Sequence, residues 1–219
     1  MQRSTSKTPI IMDKNPVSTI AEAYRGLRTS IEFMNKENKM CIIGITSSQQ
    51  GEGKTTTAAN LAIAYAQANR RVLLIDANMR QPMVHDIFLK TNYKGLANIV
   101  SNVCELKEVV VETHIPNLDI LPAGGTPPNP SELLSSVKFY EILDETKSQY
   151  DVIIVDSPPV LHVTDAQIIA AVCDGVLLVA SGGKVKKHVI RRAKALLDNV
   201  KANVMGVVLN NIKSRNKRM

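Results

Sequence analysis

No apolar run in this sequence approaches the roughly 18 uninterrupted residues that a membrane-spanning helix needs. The opening segment, MQRSTSKTPI, also lacks the apolar core of a secretory signal. A cytoplasmic chain is therefore expected. Cysteine is scarce: Cys41, Cys104 and Cys173 are scattered, odd in number and set in apolar surroundings, which fits reduced thiols better than a disulfide framework. Zinc-like ligand spacing is missing, and the four histidines, His85, His114, His162 and His188, are equally dispersed. A metal centre built from side-chain nitrogen and sulfur is not expected, so any metal should arrive with a nucleotide. The sequence also has no internal repeat and no low-complexity block.

What remains is enough for one sizeable core: 219 residues, of which 44% are hydrophobic. The one Gly/Pro-dense interruption, AGGTPPNPSELLS at 123–135, reads as a connection and not a domain boundary. Residues 1–219 are expected to form a single domain, with an extended N-terminal arm over 1–17 and a basic, disordered tail over 212–219. The formal charge is +7, and without Lys213, Arg215, Lys217 and Arg218 it falls to +3. Such a tail could touch anionic lipid or nucleic acid; a solvated end is the plainer reading, and no nucleic-acid partner is expected.

Residues 42–57, IIGITSSQQGEGKTTT, run from an apolar β-rich stretch through a polar, glycine-bearing loop into an alanine-rich helical stretch. That is the setting of a phosphate-binding loop. Its backbone N–H groups wrap phosphate oxygens, a lysine reaches the terminal phosphates and a hydroxyl ligates magnesium. Gln50, Gly51, Glu52, Gly53, Lys54, Thr55 and Thr56 are the candidate nucleotide-binding residues, with ATP or ADP and magnesium as the expected ligands. The position where the common pattern opens with glycine holds Ser48 instead, which places the loop in a deviant class. The alternative is a glycine-containing turn before an ordinary helix.

Apolar, β-branched runs recur at CIIGIT, RVLLID, LDILPA, DVIIVD, GVLLVA and NVMGVVLN, spaced widely enough for helices between them. The pattern predicts a doubly wound α/β fold, a mostly parallel sheet covered by helices on both faces, with ligands at the carboxyl ends of its strands. A further helix is expected before the first strand, from a capping-box pattern of Thr19 and Glu22 to about Asn35, and another to start at Asn129, Pro130 and Glu132. Asp76 and Asp156 each end an apolar strand and should sit at the sheet's rim beside the phosphate loop, able to hold magnesium or orient an attacking hydroxyl. Each has the alternative of capping the helix that follows.

The motifs EAYRGLR at 22–28, GEGKTTTAANLA at 51–62, VLLIDANMRQP at 72–82, PPNPSELL at 127–134, IIVDSPP at 153–159 and TDA at 164–166 together resemble the bacterial tyrosine kinases of capsular and exopolysaccharide synthesis. These are deviant phosphate-loop enzymes unrelated in fold to eukaryotic protein kinases, and the resemblance covers nearly the whole chain. It implies ATP:protein-tyrosine phosphotransfer with Lys54, Asp76 and Asp156 as catalytic residues and Thr55, Asp76 and Asp156 around magnesium. Lys54 would bind the β- and γ-phosphates, and Asp76 would accept or orient the tyrosine hydroxyl. Asn210 would lie against the adenine, although a strand-end turn former is an equal reading of that position.

Glu22, Arg25 and Arg28, three apart along one helix, are implied to drive assembly of a homo-oligomer; spacing alone suggests only an intrahelical Glu22–Arg25 pair. A membrane-anchored adaptor of the chain-length-determinant type is implied as activator, recruiting the chain to the inner face of the membrane. Two departures stand out. The second aspartate of the 72–82 motif is Asn78, and the C-terminus lacks the family's tyrosine cluster, the five tyrosines being Tyr24, Tyr65, Tyr93, Tyr140 and Tyr150. An ATP-switched positioning protein of the partition or division-site type, or a nucleotide-binding scaffold with weak kinase activity, are the alternatives.

Overall fold

The computed structural model describes residues 10–35 and 40–212. Seven strands form one sheet: β1 (Ile42–Ser47), β2 (Val72–Asp76), β3 (Val111–Glu112), β4 (Leu118–Leu121), β5 (Val152–Asp156), β6 (Gly175–Ser181) and β7 (Val204–Asn210). Their order is β3-β4-β2-β5-β1-β6-β7, and every pairing is parallel except β3 with β4. The six strands expected from the sequence are all present. β3 escapes notice because two residues on an edge carry no periodic signal.

Alternate residues of the central strands enter opposite cores, as a doubly covered sheet requires. Val72 and Leu74 of β2 face one core while Leu73 and Ile75 face the other. On the first face lie α1 (Ile11–Lys14), α2 (Thr19–Met34), α3 (Lys54–Ala66) and α4 (Val84–Ile87). On the second lie α5 (Leu96–Val100), α6 (Pro130–Leu134), α7 (Val137–Lys147), α8 (Asp165–Val172) and α9 (Lys187–Asn199). α3, with eleven of its thirteen residues buried, is the central helix of its layer.

Local chemistry corrects two boundaries and one capping contact. The expected extended arm instead coils into α1 over Ile11–Lys14 and docks on α3. The Met12 amide donates to Asn60 Oδ1 at 3.0 Å, and Gln67 Nε2 donates to the Met12 carbonyl at 3.0 Å. Arm residues 1–9 and tail residues 213–219 lie outside the described residues. The cap of α2 is Ser18, not Thr19: its hydroxyl accepts from the Ala21 amide at 3.1 Å, which frees Glu22 to pair with Arg25. α6 does begin with Pro130 in its first turn, but Asn129 makes no side-chain cap and instead donates to the Glu132 carboxylate.

Candidate active site

The phosphate loop is built by two backbone positions that need glycine. Gly51 and Gly53 hold φ of +81° and +93°, in the left-handed region that a Cβ disfavours. Between them, Glu52 folds inward and is almost fully buried. Ser48 Oγ donates to both of its carboxylate oxygens at 2.9 Å, and the Gln49 amide donates to Oε2 at 2.8 Å. Serine at the loop's opening position therefore clamps the loop from inside. Gln50 Nε2 reaches out to Gln81 Oε1 at 2.7 Å, tying this loop to the segment after β2.

Lys54 opens α3, buried, with its ammonium 3.4 Å from Asp156 and 2.9 Å from Thr55 Oγ1. The Thr55 hydroxyl donates to Asp156 Oδ2 at 2.7 Å. One cation, one hydroxyl and one carboxylate thus converge at the carboxyl ends of β1 and β5, which are neighbours in the sheet. Burial raises the Asp156 pKa, and the Lys54 charge and the Thr55 hydrogen bond oppose the rise. These are hard oxygen donors held 2.7 Å apart, and they fit a magnesium ion brought by a nucleotide. Among the described residues no cluster of three or more His, Cys, Asp or Glu offers a separate metal site.

Asp76 stands opposite Asp156 in the β2–β5 register. Its carboxylate is fully buried and held by backbone: Oδ2 accepts from the Met83 and Val84 amides, each at 2.9 Å, and Oδ1 accepts from the Asn78 amide at 3.2 Å. Two of those contacts satisfy the N-terminus of α4, so the capping role is present alongside any chemical one. Burial, and then the Asp156 charge, push its pKa from 3.8 to about 7. Because the folded carboxyl keeps its proton to higher pH than the unfolded one, its stabilising contribution is complete below pH 3.8 and is lost as pH rises through about 7. Asp76→Asn should remove this component. Between those limits the melting temperature of the nucleotide-free chain should fall relative to that of the variant by several degrees, measurable by thermal unfolding across pH.

Asn210, ending β7, extends over β6 to the phosphate loop and donates through Nδ2 to the Glu52 carbonyl at 3.1 Å. Asn78 is buried, its side-chain amide donating to the Gln81 carbonyl at 2.8 Å. The α2 motif turns partly inward. Arg25 pairs with Glu22 at 2.8 Å and donates to the Pro16 carbonyl, while Arg28 donates to the Ala64 carbonyl of α3 at 2.9 Å.

A cluster beyond the candidate set joins three motifs. Arg80, after β2, donates to both oxygens of Asp165 at 2.8 and 3.1 Å, and Ser131 of α6 donates to the same carboxylate. Burial raises the Asp165 pKa, but Arg80 and Ser131 outweigh it and hold it low. The motifs VLLIDANMRQP, PPNPSELL and TDA each contain one member, but pairing across 34 and 85 positions leaves no local signal. Arg80→Ala strands a fully buried carboxylate. Because the Arg80 side chain is itself 41% exposed and Ser131 still donates to Asp165, the substitution should cost about 1–2 kcal/mol of unfolding free energy in a denaturant titration.

A family model described as an AAA domain matches residues 40–205. The tyrosine-protein kinase YwqD of Bacillus subtilis is 42% identical over 201 residues, covering 92% of this chain and 85% of its own length. The chain belongs to the bacterial tyrosine-protein kinase family. Solved structures of the family superpose closely. The kinase domain of the Escherichia coli tyrosine kinase ETK matches at 33% identity with a TM-score of 0.92, covering all of this chain and 86% of its own. A chimerical protein, CapA2B2, matches at 38% identity with a TM-score of 0.89, covering 93% of this chain and 89% of its own. The cell-division ATPase MinD of Pyrococcus furiosus shares 24% identity over 77% of this chain and 71% of its own, at a TM-score of 0.67. That likeness establishes the common phosphate-loop fold alone. For this family member, no helix among the described residues is long and apolar enough to cross a membrane.

Proposed function

We propose that the chain transfers the γ-phosphoryl group of ATP to tyrosine hydroxyls of proteins and thereby regulates the synthesis and export of a capsular polysaccharide or exopolysaccharide. The observation that carries this reading is the convergence of Lys54, Thr55 and Asp156 at one corner of the sheet in a chain so similar to named tyrosine kinases. In the reaction the tyrosine oxygen bonds to the γ-phosphorus, the bond from that phosphorus to the bridging oxygen of ADP breaks, and the phenolic proton passes to Asp76. Asp76 is fully buried, so the acceptor reaches it only after a local rearrangement.

Lys54 draws charge from the β- and γ-phosphates, and positioning plus electrostatics supply most of the rate. Magnesium, held by Thr55 and Asp156 with help from Asp76, would neutralise phosphate charge. Gln50 to Thr56 wrap the phosphates, and Asn210, resting on the loop, borders the adenine side.

Three partners belong to the proposal. Glu22, Arg25 and Arg28 join subunits into a homo-oligomer; Arg28 is already committed to α3, so Glu22→Ala with Arg25→Ala is the cleaner test, read as a fall in mass by light scattering. A membrane-anchored adaptor activates the chain and recruits it from the cytoplasm to the membrane's inner face. The acceptors are tyrosine-bearing proteins.

The test is labelled ATP with magnesium, the adaptor's cytoplasmic segment and a tyrosine-bearing substrate. Label is expected on substrate tyrosine. On the chain itself it is expected at Tyr93, which is 87% exposed, ahead of Tyr140 at 45%, whereas Tyr65 is buried and the Tyr150 hydroxyl donates to Asp119. ATP hydrolysis driven by DNA or lipid, without phosphotyrosine, would instead identify a positioning ATPase.

A further inference from the structure

Between Gly182 and Lys201 the sequence carries seven Lys or Arg against a single acid, Asp198. The fold turns this imbalance outward. Ala193 and Leu197 of α9 are fully buried against the sheet, while Lys184, Lys186, Lys187, Arg191, Arg192 and Lys194 are all exposed. Lys187, Arg191 and Lys194, at i, i+4 and i+7, form one stripe. Among the described residues only Lys194 of these six has an acidic partner, Asp198 at 2.7 Å.

Charge alone would leave a solvated helix face. What changes the reading is the surface beside it. On β7, an edge strand, Val207 is 45% and Leu209 55% exposed, and Ile212 just beyond is 65% exposed. Val207 and Leu209 stand in register with Leu178 and Ala180 of β6, and Leu178 belongs to the core that α9 covers. The two side chains therefore lie on the α9 side of the sheet, beyond the helix's reach. The Gly182 amide donates to the Asn210 carbonyl at 2.7 Å, and a Cβ on Gly182 would lie 3.1 Å from Ile212 Cγ1. Ile212 thus abuts the segment that leads directly into Lys184, Lys186 and Lys187. Aliphatic side chains and a set of exposed cations, only one of which is paired among the described residues, share one corner of the molecule.

That combination fits two layers of one partner: phosphate headgroups for the ammonium and guanidinium groups, and acyl chains for the aliphatic cluster. A nucleic acid would answer the charge and leave the aliphatic side chains in water. Residues 182–212 also hold no Phe, Tyr or Trp on which a base could stack. We infer that the α9–β7 corner binds the surface of an anionic lipid bilayer directly, a contact of the chain's own that adds to the recruitment proposed for the adaptor. Because Asn210 on the same strand touches the phosphate loop, such docking sets the nucleotide site at the edge of the headgroup layer.

The test is flotation of the full-length chain with vesicles of phosphatidylcholine alone and of phosphatidylcholine with phosphatidylglycerol, no adaptor present. Binding is expected only to the anionic vesicles, weakening as salt is raised. Lys186→Glu, Lys187→Glu and Arg191→Glu together should weaken it about a hundredfold. Val207→Ser with Ile212→Ser should weaken it at least severalfold while leaving ATP affinity unchanged. The inference is overturned if the chain ignores anionic vesicles, or if binding survives the triple reversal and so resides elsewhere on the chain. It is equally overturned if the substitutions alter subunit number in lipid-free solution, or if DNA is bound more tightly than the vesicles.

Discussion

Lys54→Met should abolish phosphotransfer, lowering the rate of tyrosine labelling by at least about a thousandfold. Two losses combine. In the proposed reaction the ammonium is the positive charge that meets the terminal phosphates, and in a largely buried site its effect on developing charge is far greater than in water. It is also the cation 3.4 Å from Asp156. Without it, burial dominates and Asp156 takes up a proton at higher pH than before, weakening it as a ligand for magnesium. The variant should therefore lose nucleotide affinity as well as rate, and its folded state should become less stable as pH rises. Quantified phosphotyrosine, together with calorimetric titration of magnesium and a non-hydrolysable ATP analogue, separates the two losses. A variant labelling tyrosine as the parent does would remove Lys54 from the reaction.

Gly53→Ala should have a comparable effect on nucleotide binding by a different route. The residue sits at φ +93°, which costs a residue with a Cβ about 1–2 kcal/mol. The added Cβ would lie 1.9 Å from Asn210 Nδ2, so Asn210 must swing away and give up its bond to the Glu52 carbonyl. Loss of that bond and the strained backbone together should lower stability by roughly 2–3 kcal/mol and nucleotide affinity by about a hundredfold. The pair with Asn210→Ala isolates the two causes. Removing the obstructing side chain should restore part of the stability, while the positive φ keeps affinity low. Equal affinity in Gly53→Ala and the parent would show that the loop does not grip phosphate through this backbone geometry.

Much of the site was legible in the chain itself. The run IIGITSSQQGEGKTTT specifies a strand, a glycine-bearing loop and a helix by local rules, and the loop is where those rules put it. Two further apolar runs end in acids, and both acids lie at the sheet's rim. Other assignments failed where neighbouring residues compete for one role. Ser18 displaces Thr19 as the cap of α2, and residues 11–14 coil because Met12 finds a buried seat on α3.

The sequence by itself determined the α/β class, the phosphate loop and the acids at the strand ends, because strand periodicity, glycine conformation and helix capping act over a few residues. Only the tertiary structure decided that β5 inserts between β1 and β2, bringing Asp156 to Lys54 and Thr55 and setting Asp76 beside it. It alone decided that Asn210 reaches the loop, that Arg28 donates to α3, and that Arg80 and Ser131 meet on Asp165. Strand order and long-range polar pairing follow from how the apolar faces of all the elements are buried together, and no local stretch of chain holds that information.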